Sequence, residues 1–259
     1  MNFSSVFGFL VAIGVISFAV IESHGGGMFL NMHGITIVLG GTFAAACICF
    51  PIPRMISLIA VAAKRILGFK GVNYSAVITE VIGIAEGMQR DPNFVKSAVG
   101  SVKEPFLKEG LELIINGASE EQLQDILSAR IETFKRRQAE EINMFSVLGK
   151  FPPAFGLLGT TFGMVALLGE LGSADALKKV GPAMAVGLVA TLYGIATTNF
   201  VFVPISENLK AANSEAQAAR KMILDGLLLI KRKTHPVLVE EKMRSYLLPS
   251  ERLKLKKSA

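Results

Sequence analysis

Apolar residues in this chain gather into four long runs, and a long polar stretch divides them two and two. Residues 1–21, 25–53, 151–169 and 180–206 contain no Asp, Glu, Lys or Arg. A helix rises about 1.5 Å per residue and the hydrocarbon layer is about 30 Å thick, so each run is long enough to cross a bilayer. The pattern predicts a helical hairpin at 1–53, a cytoplasmic helical domain at 54–148, a second hairpin at 149–206, and a helical, basic tail at 207–259. Met1 opens a run with no basic n-region, and Ile21-Glu22-Ser23-His24 lacks the small residues of a cleavage site. The first run therefore reads as a retained span rather than a signal peptide.

Local signals divide these segments further. A flexible link at 22–27 joins the first two runs, and Pro51-Ile52-Pro53 ends the second where Arg54 begins the charged region. Residues 55–63 are apolar and precede Lys64-Arg65, as in an amphipathic helix lying on a membrane surface. Val77, Val81, Ile82 and Ile84 belong to a helix that breaks at Asp91-Pro92-Asn93, and a second helix through Phe106 and Leu111 stops at Asn116-Gly117. Ser119-Glu120-Glu121-Gln122 is a capping box. The charged helix after it, 126–144, is expected to run straight into the third span. The tail from Glu207 to about Tyr246 is expected to form one long helix. With no strand-rich block or internal repeat, the fold class is an all-α polytopic membrane protein with four transmembrane helices.

Composition agrees: 51% of the 259 residues are hydrophobic, too many for an ordinary soluble domain. Of the 27 Lys and Arg residues, all but Lys178 and Lys179 lie in 54–150 and 210–257. The positive-inside rule then puts the central segment, the tail and both termini in the cytoplasm. Residues 54–150 carry 13 basic and 12 acidic side chains, which is no nucleic-acid footprint. The tail clusters Lys231-Arg232-Lys233 and 254–257 read as topology signals in contact with anionic lipid. Cys47 and Cys49 fit neither a redox pair nor a zinc site, and the three histidines are scattered. No nucleophile–base pair, phosphate loop or metal cluster points to an enzyme.

The last two runs carry the chemistry. Gly159 and Gly163 fall on one helical face beside Thr160 and Thr161, and Gly187, Thr191, Gly194 and Thr198 form a stripe in the fourth run. Such stripes serve close helix packing, with hydroxyls bonded back to the preceding turn. They also serve a narrow ion path, in which hydroxyls replace part of the hydration shell. Both readings stand. Ion relays in membranes ordinarily use an acid, and these runs have none. If the protein conducts ions, a second chain must supply the carboxylate.

Three stretches, in order, resemble the MotA/PomA family of flagellar motor stator subunits. They are Pro105-Phe106-Leu107-Lys108-Glu109-Gly110-Leu111, Pro152-Pro153-Ala154-Phe155-Gly156-Leu157-Leu158-Gly159-Thr160, and Gly181-Pro182-Ala183-Met184-Ala185-Val186-Gly187 with Thr191-Leu192-Tyr193-Gly194. The ending Leu247-Leu248-Pro249-Ser250-Glu251-Arg252 is similar too. The resemblance implies a homo-pentamer around a dimer of a single-span MotB/PomB-like partner in the bacterial inner membrane. That partner carries the ion-binding aspartate and anchors to peptidoglycan, and ion flow turns the ring against the rotor protein FliG. By motif, Thr160 and Thr191 match hydroxyls of the family's ion path, with Thr161 beside them, and Pro153 and Pro204 match prolines that couple ion passage to movement. Arg90 matches a basic rotor-facing position. The acidic position that follows falls near Ala98, close to Lys96, so another acid such as Glu104 or Glu109 makes the contact or the rotor surface differs; Lys103 and Lys108 flank them. Ala190 beside Thr191 removes one hydroxyl where sodium-driven members have two, which favours H+ over Na+ as the transported ion. Two alternatives remain: an ExbB/TolQ-like energiser of outer-membrane processes, whose three-span layout lacks the first hairpin, and a non-conducting membrane scaffold.

Overall fold

The computed structural model describes residues 3–22, 26–68, 73–91, 93–170, 176–247, 249 and 252, and these are helical with no strand among them. The expected link at 22–27, Pro92, part of the 247–252 ending and the basic cluster at 254–257 lie wholly or partly outside the described residues. Among the described residues twelve α-helices follow in order: α1 Phe3–Glu22, α2 Met32–Ile35, α3 Gly41–Cys49, α4 Ile52–Gly68, α5 Tyr74–Arg90, α6 Phe94–Ala98, α7 Pro105–Ile115, α8 Glu120–Leu148, α9 Phe151–Glu170, α10 Ala176–Thr197, α11 Val203–Lys231 and α12 Pro236–Arg244. Two π-helical turns interrupt the membrane-type segments, Thr36–Gly40 between α2 and α3 and Thr198–Phe202 between α10 and α11.

Among the described residues, three stretches are long and apolar enough to cross a membrane: Met32–Cys49, the apolar part of Glu120–Gly169 and that of Val180–Lys231. The apolar helix Leu10–Glu22 is shorter. Their side chains keep the apolar surface a bilayer would cover; Phe18, Phe43, Leu157, Leu188 and Ile195 are all exposed.

The chain forms two compact units, one from residues 1–70 and 139–210, the other from 71–138 and 211–259. In the first, Leu58 of α4 is buried with Met144, Phe145, Leu148, Ile205 and Leu209, while Ile52, Ile56 and Ile59 on the other side of α4 are exposed. In the second, Ile78 and Val81 of α5, Leu107 and Leu111 of α7, Leu123 and Leu127 of α8, and Met222 and Leu227 of α11 make the core. Gly110 sits where α7 meets Leu227; a Cβ there would overlap the leucine side chain.

Two expectations about helix continuity fail for reasons that can be read from backbone chemistry. The helix through 126–144 does not pass unbroken into the third span: α8 closes at Leu148, and a turn at Gly149 and Lys150 precedes α9. Pro152 and Pro153 have no N–H to return to the carbonyls four residues earlier, so the ladder stops. Nor is the tail one helix. α11 ends at Lys231, Lys233 adopts a left-handed φ of 56°, and the N–H groups of Lys233 and Thr234 turn back to Ile230 and Leu229. His235 stands before Pro236, a position that disfavours the α conformation, and α12 starts there. The capping box forms as expected. Ser119 N–H donates to Gln122 Oε1 at 2.9 Å, and Gln122 N–H donates to Ser119 Oγ at 3.1 Å.

Candidate ion-path site

Small residues bring α9 and α10 together. A Cβ at Gly187 would lie 2.9 Å from Thr160 Cα, one at Gly163 would lie 2.7 Å from the Ala183 carbonyl oxygen, and one at Gly159 would lie 2.5 Å from Ala190 Cβ. At Gly194 the same atom would strike the Pro152 carbonyl. No side chain larger than hydrogen fits these positions without moving backbone.

Between those contacts, the Thr160 and Thr191 hydroxyls meet at 2.5 Å, and either can be the donor. Thr160 Oγ1 also lies 3.0 Å from the Gly187 carbonyl oxygen and 3.3 Å from that of Gly156, while Thr191 Oγ1 lies 3.2 Å from the Gly156 oxygen. Two hydroxyl protons thus serve three acceptor directions. A hydroxyl has two lone pairs and one proton, so the cluster always keeps unused acceptor capacity. Both side chains are half-buried. Thr161 stands apart: it is exposed, and its hydroxyl donates to the Leu157 carbonyl in its own helix at 3.0 Å. Tyr193 ties the start of the second apolar stretch to α10, because its hydroxyl donates to the Phe29 carbonyl and accepts from Asn31 N–H.

The two prolines act through carbonyls. Pro153, half-buried in the first turn of α9, lacks the N–H that would bond to the Gly149 carbonyl. Thr198 Oγ1 donates to that carbonyl at 2.8 Å instead. Pro204, exposed in the first turn of α11, has no N–H for the Phe200 carbonyl, and the π-helical turn Thr198–Phe202 lies directly before it. A π turn is the local rearrangement expected where one ladder bond is lost.

Below this level, Ser146 Oγ and Ser206 Oγ meet at 2.9 Å, and Ser206 is one of the few fully buried polar side chains described. The sequence offered no pattern for this pair, since 60 positions separate the residues. Half of the Thr198 contact was accessible from sequence, because Pro153 designates Gly149 as the carbonyl left unpaired, but not the donor 49 positions away.

The charges considered for rotor contact lie in the second unit. Arg90 is the exposed last residue of α5, Lys96 is exposed on α6, and Lys108 is exposed on α7. Lys103 precedes α7, and its backbone N–H donates to Glu80 Oε1 at 3.4 Å. Glu104 is half-buried at the α7 N-cap. Glu109 pairs with Arg130 at 2.7 Å. The Arg220 guanidinium lies 3.7 Å from the centroid of the Phe134 ring and 5.0 Å from that of Phe106, joining α7, α8 and α11.

Fold and site together define an all-helical, membrane-embedded protein with a hydroxyl-bearing pair of apolar helices whose one acidic residue, Glu170, stands at the far end of α9. The MotA/TolQ/ExbB proton channel family matches over residues 98–222. Motility protein A of Borreliella burgdorferi is 30% identical across 100% of this chain and 98% of its own length; chemotaxis protein PomA of Vibrio alginolyticus is 26% identical across 97% and 98%. The flagellar MotAB stator complex from Bacillus subtilis is similar in fold, with a TM-score of 0.87 at 25% identity over 97% of this chain and 98% of that one. The chain belongs to the motility protein A family, the ion-channel subunits of flagellar motor stators.

Proposed function

We propose that this chain is the ring-forming subunit of a proton-driven stator. Five copies surround two copies of a single-span, MotB-like partner in the inner membrane, with both termini in the cytoplasm. α1, 20 residues and about 30 Å long, serves as the first of four spans beside the three other apolar stretches. α4 lies on the cytoplasmic membrane surface, where its exposed Ile52, Ile56 and Ile59 meet lipid. The partner's carboxylate delivers a proton past the Thr160–Thr191 pair, Pro153 and Pro204 couple that passage to movement, and charges of the second unit push on FliG.

The observation that carries this reading is the hydroxyl pair itself. It sits in the runs 151–169 and 180–206, which hold no carboxylate, and it has more acceptors than protons. Such a cluster favours a visiting donor, which a protonated carboxyl group or a hydrated proton is and a packing side chain is not. The single hydroxyl at 190–191 leaves sodium one oxygen ligand fewer to replace its water, which makes its dehydration harder than a proton's transfer along water. Replacing Thr191 by Val keeps the shape and removes the hydroxyl. Thr191→Val abolishes swimming while the ring still assembles with its partner; normal swimming in that variant would remove the pair from the ion path.

A further inference from the structure

The first unit contains a cavity of about 230 Å³ where the turn between α8 and α9 meets the end of the α10 region. Its polar lining is Ser146, Gly149, Lys150, Thr198, Ser206 and Glu207. A water occupies about 30 Å³ in the liquid and needs two to four polar partners, so the cavity accommodates several waters. The partners are present: the Ser146–Ser206 hydroxyl pair at 2.9 Å, and the lone pairs left on the Thr198 hydroxyl and the Gly149 carbonyl once Thr198 has donated to Gly149.

The cavity also continues the hydroxyl stripe. Thr198 lies seven residues after Thr191, about two turns or ~10 Å farther along the helix on the same face. The stripe that carries the mid-membrane pair therefore ends in the cavity wall. Ser206 is buried, with only 4% of its surface exposed, whereas Lys150 and Glu207 are exposed at the rim. With one charge of each sign, and Glu207 already paired with Lys210 at 2.6 Å, the rim gives no preference for an anionic lipid headgroup.

We propose that this cavity is the cytoplasmic release vestibule for the proton, a site within each subunit. The proposal rests on the proton-stator reading above. A proton arriving from the Thr160–Thr191 level enters as hydronium beside Thr198. It passes through water in the cavity and the Ser146–Ser206 pair, each hop forming one O–H bond as another breaks, and leaves past Glu207 to bulk water. The pair suits this task because either serine can be the donor, so it turns over without holding charge. Pro153 gains a second role, since the Gly149 carbonyl it frees from the helical ladder holds the Thr198 hydroxyl at the entrance.

Inverted membrane vesicles containing the whole complex test the vestibule, with Cys47→Ser and Cys49→Ser removing the native thiols. Ser206→Cys should react with a membrane-impermeant thiol reagent added outside, the cytoplasmic face, and labelling should stop proton flux. Ser146→Ala/Ser206→Ala should lower flux several-fold, whereas Ser206→Thr should retain it. Copurification with the partner identifies any variant that fails to assemble, and the reactivity of Ser206→Cys then decides. An unreactive thiol in an assembled Ser206→Cys complex, or full flux in the double alanine variant, overturns the vestibule. If Thr191→Val still stops flux in that second case, the stator reading survives; if flux persists there too, both fall.

Discussion

Two hydroxyls and four glycines account for most of what the α9–α10 pair can do. Thr160 and Thr191 face each other because Gly156, Gly163, Gly187 and Gly194 remove the side chains that would keep the helices apart. In the proposed ion path, packing and ion contact would therefore fall to the same residues. Gly187→Ala tests this: its methyl would lie 2.9 Å from Thr160 Cα and must displace α9. Overpacking of this kind costs roughly 1–3 kcal/mol. Thermal stability of the detergent-solubilised complex should fall accordingly, with motility falling further because the hydroxyls separate. A Gly187→Ala complex of unchanged stability would mean that the helices do not pack this closely.

Among the elements, the prolines have the widest reach. Pro153 designates Gly149, and Gly149 receives Thr198; Pro204 offers no N–H to the Phe200 carbonyl beside a π turn. Pro204→Ala restores an N–H and lets the helix regularise. Motility should drop while the ring assembles, and amide exchange around 198–204 should slow as the ladder closes. Faster or unchanged exchange would argue that the π turn has another origin. The sequence made most elements legible because runs of charge-free residues, prolines and a capping box are local signals. It did not disclose the breaks at Gly149 and Lys233, where adjacent prolines outweigh helical periodicity. The Ser146–Ser206 pair was also invisible, because tertiary packing alone unites positions so far apart. Nor did it predict the Arg220 stack on Phe134 and Phe106, for the same reason.

For the whole molecule, the task is to convert ion passage into force on a rotor. Glu109 is engaged with Arg130, which leaves Arg90, Lys96, Lys103 and Lys108 as exposed cations with no ion pair among the described residues. Exposed pairs are individually weak, up to about 1 kcal/mol, so several must act together on a moving surface. Arg90→Glu should lower torque with assembly intact, and an opposite reversal on the rotor should restore it; unaltered torque would remove Arg90 from the interface. The central claim is that protons cross at the threonine pair using an acid from the partner. Proton flux in sodium-free vesicles carrying the complete complex tests it most directly. The account predicts flux without sodium that Thr191→Val eliminates. Flux that appears only when sodium is added, or that persists in the Thr191→Val complex, would contradict it.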